Sequence, residues 1–235
     1  LKQKLNQLTP LKRVLMKQGN YWKSLSASLL LIGFLVQGCE EAVDGPLPLL
    51  GPYKVNDTII DGMLKTDTTF TTVRPFSFID QDGNEVSEVT TNGKIYVADF
   101  FFTSCPTICP KMKQQMLRLY NDFEENDEVI FLSHSIDPKR DSVARLHDYA
   151  EKLGITSDRW HLMTGERDDI YSMAKHYMIA AQEDKLAPGG YAHSGAFLLV
   201  DKNRQIRGIY DGTSPEEVDQ LKLDIQKLLS DEAQP

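Results

Sequence analysis

The 235-residue chain holds only three cysteines, Cys39, Cys105 and Cys109, which excludes a disulfide-stapled scaffold. It also lacks a long apolar run. The uncharged stretch Ser24–Gly38 has 15 residues, and a membrane-spanning helix needs about 20. Residues 1–38 contain six basic residues and no Asp or Glu. Once those six are set aside, 20 Lys and Arg remain against 34 Asp and Glu, a net of −14. That balance argues against nucleic-acid binding, which wants a basic face. There is no internal repeat and no low-complexity tract. The composition, 41% hydrophobic and 26% charged, suits one globular domain of ordinary size with extra segments.

The first forty residues read as targeting sequence. A basic start followed by the apolar core Leu29–Val36 has the proportions of a secretory signal. It ends in "LVQGC", which resembles the lipobox of bacterial lipoproteins, with Cys39 as the lipidated residue, although Gln37 replaces the usual small residue. An uncleaved anchor is the alternative. Both readings place the bulk of the protein outside the cytoplasm, and the lipobox reading makes it lipid-anchored in a bacterial cell envelope, facing the periplasm. Met16 opens a signal of good proportions by itself, so residues 1–15 are expected to be an upstream translation or start-codon artefact. Residues 39–68, rich in Pro and Gly at their start, read as a tether, and residues 69–235 as the folded domain.

Within that domain "PFSFID" and "QDGNEV" form an expected hairpin about Asp82-Gly83. The runs "KIYVADFFF" (94–102) and "EVIFLSHSI" (128–136) are apolar enough for strands buried on both faces. Helices are expected over 107–125, 142–153, 168–176 and from Ser214 onward, the last with a Ser cap and Pro in first position. A short strand at "RWHLMTG" and a hairpin from "GAFLLVD" to "QIRGIYDG" complete the order. A βαβ unit followed by an antiparallel hairpin and a final helix is the thioredoxin-like plan. The fold class is therefore α/β, thioredoxin-like, with an N-terminal β-hairpin extension.

Cys105 and Cys109 fall at the junction of the first central strand and its helix. Pro106 is expected to open that helix, placing Cys105 at its N-terminus and lowering its thiol pKa. Four residues make about one turn, so both sulfurs would face one side, able to close a disulfide or hold a soft metal ion. Two thiolates select Cu(I), or Zn with further ligands. Among the five histidines, His147, His161 and His176 read as ordinary surface, strand-edge and helix-end residues. His134, at the carboxyl end of a strand, is more readily structural than a ligand. His193 follows Gly189 and Gly190 in a loop that such a fold turns toward the thiols, and ligand and non-ligand readings are evenly matched on spacing.

Four segments, "TSCPTICPKM" (103–112), "SIDPKRD" (135–141), "WHLMTG" (160–165) and "HSGAFLLVDKNRQIRGIYDG" (193–212), together resemble the Sco/SenC family of copper-binding proteins over residues 70–229. The resemblance implies copper, as Cu(I) or Cu(II), held by Cys105, Cys109 and His193. It implies a metallochaperone that serves the dicopper site of a respiratory cytochrome oxidase, by delivering copper to its receiving subunit or by reducing its thiols. A periplasmic thiol reductant or copper donor would be a further partner. Ala192 departs from the Asp that several members carry there. Asp137 is a candidate partner near the metal or else a helix cap, and Pro138 and Arg140 are consistent with turn chemistry and a surface ion pair. The competing functions are a metal-free thiol-disulfide reductase using Cys105 and Cys109, and a copper or redox sensor. A thiol peroxidase is disfavoured because no arginine is evidently placed for it.

Overall fold

A computed structural model describes residues 45–155 and 159–231. The expected signal and Cys39 lie outside the described residues. The chain forms strands β1 (Tyr53–Ile60), β2 (Met63–Phe70), β3 (Ser77–Ile79), β4 (Glu85–Ser87) and β5 (Ile95–Phe101), then helix α1 (Cys109–Asp122) and β6 (Val129–Ser135). These are followed by α2 (Val143–Leu153), β7 (Trp160–Met163), α3 (Arg167–His176), β8 (Ala181–Glu183), β9 (Tyr191–His193), β10 (Ala196–Val200), β11 (Ile206–Asp211) and α4 (Pro215–Asp231).

The central sheet has the order β11-β10-β5-β6-β7. Strands β5, β6 and β7 are parallel, while β10 runs antiparallel to both β5 and β11. Every residue of β5 and β6 is buried, as their unbroken apolar runs require of strands covered on both faces. Side chains alternate between those faces. Asp99, Phe101 and Ser133 face Lys113 of α1. Phe100 and His134 face the other way, toward Tyr177 and Phe78.

The helix ends follow local chemistry. The Ser142 hydroxyl accepts the Arg145 N–H, and Gly154, at φ 73°, closes α2 in the left-handed conformation. The Ser214 hydroxyl accepts the Glu217 N–H at the start of α4. The thioredoxin-like plan and the β3–β4 extension agree with the expectation from sequence.

Two features differ. The stretch read as a tether contains a hairpin, β1–β2, in full register from Tyr53↔Phe70 to Ile60↔Met63. Its turn, Asp61-Gly62, has φ 53° and 75°, positive at both positions as a type I′ turn needs. The segment before it is pinned as well: the Leu50 N–H donates to the Ile206 carbonyl at 2.8 Å. The second difference is α1, which starts at Cys109 with Pro110 in its first turn. Cys105 precedes it in a bend whose N–H bonds the Phe102 carbonyl at 3.2 Å.

Candidate metal centre

Strand β5 ends in Phe101 and delivers the chain directly into the bend that carries Cys105, with Cys109 as the first residue of α1. Strand β9 brings His193 to the same place from 84 positions downstream. The two thiol sulfurs and one ring nitrogen of His193 all lie within 4.8 Å of one another. Ligand atoms bound to one ion at about 2.0–2.3 Å sit roughly 3.5–4 Å apart, so a small closure completes a three-ligand site.

The imidazole is already aimed. His193 Nδ1 is 3.0 Å from the Ser194 carbonyl oxygen and can only donate to it. That fixes the proton on Nδ1 and leaves the Nε2 lone pair facing Cys109 Sγ at 3.3 Å. Burial holds the ring's pKa below the ordinary value, so it is neutral and able to ligate at pH 7. Phe102 meets the ring edge-on at 6.0 Å.

The two thiols differ in environment. Cys109 is buried, and burial is the main cause that pushes its pKa far up, with the Cys105 sulfur adding to it. It is therefore a protonated thiol, with its sulfur 3.3 Å from Nε2. Cys105 is half-exposed. Burial opposes its ionisation, but hydrogen bonds from the Cys109 thiol, the Thr107 and Cys109 amides and the Thr107 hydroxyl outweigh it and lower the pKa. The lowered pKa agrees with the sequence expectation; its cause does not. The bend supplies the donors, and the helix terminus belongs to Cys109.

The segment Ser135–Asp141 fastens the loops that carry the ligands. The buried Asp141 carboxylate accepts the Thr103 N–H at 3.0 Å, the Thr103 hydroxyl at 2.6 Å and the Ser135 hydroxyl at 2.6 Å. Asp137 accepts the Tyr191 hydroxyl at 2.8 Å, two residues before His193, and pairs with Arg140 at 2.8 Å. Arg140 donates to the Ser104 hydroxyl and the Gly189 carbonyl, both at 3.3 Å. Asp137 is thus a positioning residue and not the helix cap, which is Ser142. Arg140 is more than a surface pair, because it bridges both loops. Gly189 has φ 82°, and a Cβ there would lie 2.6 Å from Phe102 Cε2, so only glycine lets this loop approach.

Sequence reasoning missed several neighbours. Lys113, one turn beyond Cys109, is buried and donates to Asp99 at 2.9 Å and Ser133 at 2.8 Å, with its ammonium 4.0 Å from the Phe101 ring centroid. Arg145 donates to the Thr103 hydroxyl at 3.1 Å. With Arg140 it places two arginines beside the Cys105 bend, bonded to Ser104 and Thr103, a proximity that the sequence did not reveal. The helical spacing of Lys113 from Cys109 was the available signal. Of the three consecutive phenylalanines 100–102, Phe102 flanks the site, Phe101 lies beneath Lys113, and Phe100 stacks on His134 on the opposite face.

The other histidines stay away from the thiols. His134 Nδ1 and Nε2 have no hydrogen-bond partner. The His147 ring meets Asp82 at 3.2 Å at the surface. His161 is buried against Asp80 at 3.0 Å, and His176 accepts the Arg74 N–H at 3.2 Å.

Residues 65–230 match the family model described as SCO1/SenC. The chain belongs to the SCO1/SenC family. Solved structures of other SCO1/SenC proteins agree in fold. A SCO1/SenC family lipoprotein from Bacillus anthracis is 30% identical, with a TM-score of 0.62 over 67% of this chain and 95% of that one. BsSco, described as a member of the Sco family of cytochrome c oxidase assembly proteins and as carrying a disulfide switch, is 30% identical, with a TM-score of 0.59 over 67% and 92%. Arabidopsis thaliana ScoI, solved with copper bound, is 26% identical, with a TM-score of 0.58 over 68% and 99%. The SCO1/SenC match begins inside β2, so β1 lies ahead of the shared domain.

Proposed function

We propose that the protein is a copper carrier, binding one copper ion through Cys105, Cys109 and His193 and passing it to the receiving subunit of a respiratory cytochrome oxidase. The observation that carries this reading is the tautomer-fixed imidazole whose Nε2 faces a thiol at 3.3 Å. Two sulfurs and one neutral imidazole form a soft donor set suited to Cu(I), and a relative of the same fold has been solved with copper bound. Binding displaces the Cys109 proton. Oxidation of the two thiols to a disulfide releases two protons and two electrons and removes both sulfur ligands, so it expels the metal. Redox state and metal load are thereby coupled, which accords with the disulfide switch described for BsSco. The same reading places the protein in a bacterial envelope, facing the periplasm and anchored by lipid on Cys39. A relative from Bacillus anthracis described as a lipoprotein supports the lipid anchor.

Competition titration of the reduced protein with Cu(I) tests the carrier reading. Affinity should fall in His193→Ala and vanish in the Cys105→Ser, Cys109→Ser pair. Unchanged binding in either removes the metal centre. A second reading rests on the unequal thiols. A low-pKa, half-exposed Cys105 and a buried Cys109 suit attack and resolution in a thiol-disulfide reductase acting on the oxidase thiols or receiving electrons from a periplasmic reductant. That activity survives His193→Ala, whereas copper retention does not.

A further inference from the structure

We propose that the β1–β2 hairpin docks on the lipid bilayer through its tip and turns the thiol pole of the domain away from the membrane. The proposal builds on the anchoring at Cys39, and its test separates the two.

The hairpin stands clear of the domain: all residues from 53 to 69 are exposed. Four of its five exposed aliphatic side chains lie at the tip, Ile59 at 76%, Met63 at 72%, Leu64 at 68% and Ile60 at 51%, with Val55 alone on the shaft. Pairing puts Ile59 opposite Leu64 on one face and Ile60 opposite Met63 on the other. Next toward the root come the pairs Thr58↔Lys65, Asp57↔Thr66 and Asn56↔Asp67, polar on both faces. The apolar character therefore varies along the length of the hairpin and not across its faces. A protein patch covers one face of a ribbon. A bilayer interface surrounds both, and an end-on element entering it needs an apolar end and a polar shaft. Exposed apolar surface so concentrated marks an interaction site.

The placement of the root fits the same partner. Leu50 bridges to Ile206, and the Val73 N–H bonds the Arg204 carbonyl. Ile206 pairs with Val200 and Val200 with Tyr96, at the amino end of β5. The thiols lie beyond the carboxyl end of β5, at the opposite pole. Cys39 precedes Tyr53 by fourteen positions, a reach of at most about 50 Å, and a strand of this length spans about 25 Å. A lipid on Cys39 and the hairpin tip can thus engage one membrane together. The hairpin carries Lys54 and Lys65 against Asp57, Asp61 and Asp67, so anionic lipid offers it no attraction. Asp61 at the apex confines the tip to headgroup depth, where it meets choline or ethanolamine cations. Such contact is weak unless the anchor already holds the protein at the surface.

The test uses the protein carrying its lipid on Cys39, in phosphatidylcholine–phosphatidylethanolamine vesicles that contain a diazirine lipid, with carbene adducts mapped by mass spectrometry. Adducts are expected at residues 59–64 and in the anchor region that begins at Cys39, at low and high salt alike, and not near Cys105 or the exposed Leu186. Joint replacement Ile59→Ser, Ile60→Ser, Met63→Ser, Leu64→Ser should abolish the hairpin adducts and leave those of the anchor, with thiol titration reporting an intact domain. Adducts in the anchor region alone overturn the docking. Adducts on the tip alone uphold docking and remove the anchor, and adducts nowhere overturn both. In a parallel run with a bifunctional amine cross-linker, Lys65-to-Lys65 links between two copies without lipid adducts identify a second copy as the occupant and overturn the proposal. Adducts around Cys105 overturn the orientation.

Discussion

Replacing His134 with Phe should make the protein both more stable and less sensitive to acid. His134 is fully buried in β6, stacked on Phe100 at 4.9 Å, and neither ring nitrogen has a hydrogen-bond partner. Burial, reinforced by the Lys113 charge, holds its pKa down at about 3, against 6.5 for the free side chain. A folded-state pKa below the unfolded one means that the unfolded chain binds more protons between those values, so stability rises with pH across that window. Above about pH 6.5 the term is flat. Each unit of pKa difference corresponds to 1.36 kcal/mol. The loss from His134 alone is therefore about 2 kcal/mol by pH 5 and at most about 5 kcal/mol by pH 3, a large share of a typical 5–15 kcal/mol. At neutral pH the Phe variant also relieves an unsatisfied buried polar group, worth about 1–3 kcal/mol less the cost of the larger ring. Urea unfolding of both proteins at pH 7.5, 6 and 5 measures it. The difference in stability should widen by about 2 kcal/mol between pH 7.5 and 5. Parallel profiles would refute the reasoning, because His161, His176 and His193 are common to both proteins.

Copper affinity should rise with pH, by up to about tenfold per unit between pH 6 and 8 for the Cys109 proton alone; a flat competition profile contradicts a protonated Cys109. Lys113→Met strands the Asp99 carboxylate in the core, and urea unfolding should show a loss of about 3–5 kcal/mol, partly restored when Asp99→Asn is added. Gly189→Ala forces a Cβ into a left-handed residue 2.6 Å from Phe102. It should cost about 1–3 kcal/mol of stability and weaken Cu(I) retention, as read by chelator competition, while Gly154→Ala, remote from the thiols, costs stability alone.

The central sheet was legible because its strands are strongly apolar and its helices carry plain caps at Ser142, Gly154 and Ser214. The β1–β2 hairpin was missed because both of its faces are exposed, so no alternation of polar and apolar residues betrays it. The Asp61-Gly62 pair between Ile59-Ile60 and Met63-Leu64 was the signal that could have found it. The start of α1 was misplaced because Pro106 and Pro110 both fit the first turn of a helix. Only Pro110 is followed by an unbroken run of good helix formers, whereas Thr107 and Ile108 are β-branched. The pairing of the thiols with His193 could be suspected from the two glycines. The contacts that set its geometry could not, since Arg140 and Gly189 lie 49 positions apart and nothing in either residue names the other.

Those contacts separate the two functional readings. A disulfide between Cys105 and Cys109 needs only the bend that joins them. A three-ligand copper site also needs β9, and β9 is held against the bend by a segment that supplies no ligand. Asp137 holds Tyr191, and Arg140 spans Ser104 and the Gly189 carbonyl. Arg140→Ala should therefore loosen His193 without touching the sulfurs. Its guanidinium is half-exposed, which limits the expected effect to roughly tenfold in copper affinity, about 1.4 kcal/mol. The rate of thiol-disulfide exchange should stay at the wild-type value, and Arg140→Lys, which keeps the charge but not the fork, should restore little. If exchange and copper affinity fell together, Arg140 would be acting on the Cys105 bend itself, and the buckle between the two loops would not be what holds the imagined ligand set in place.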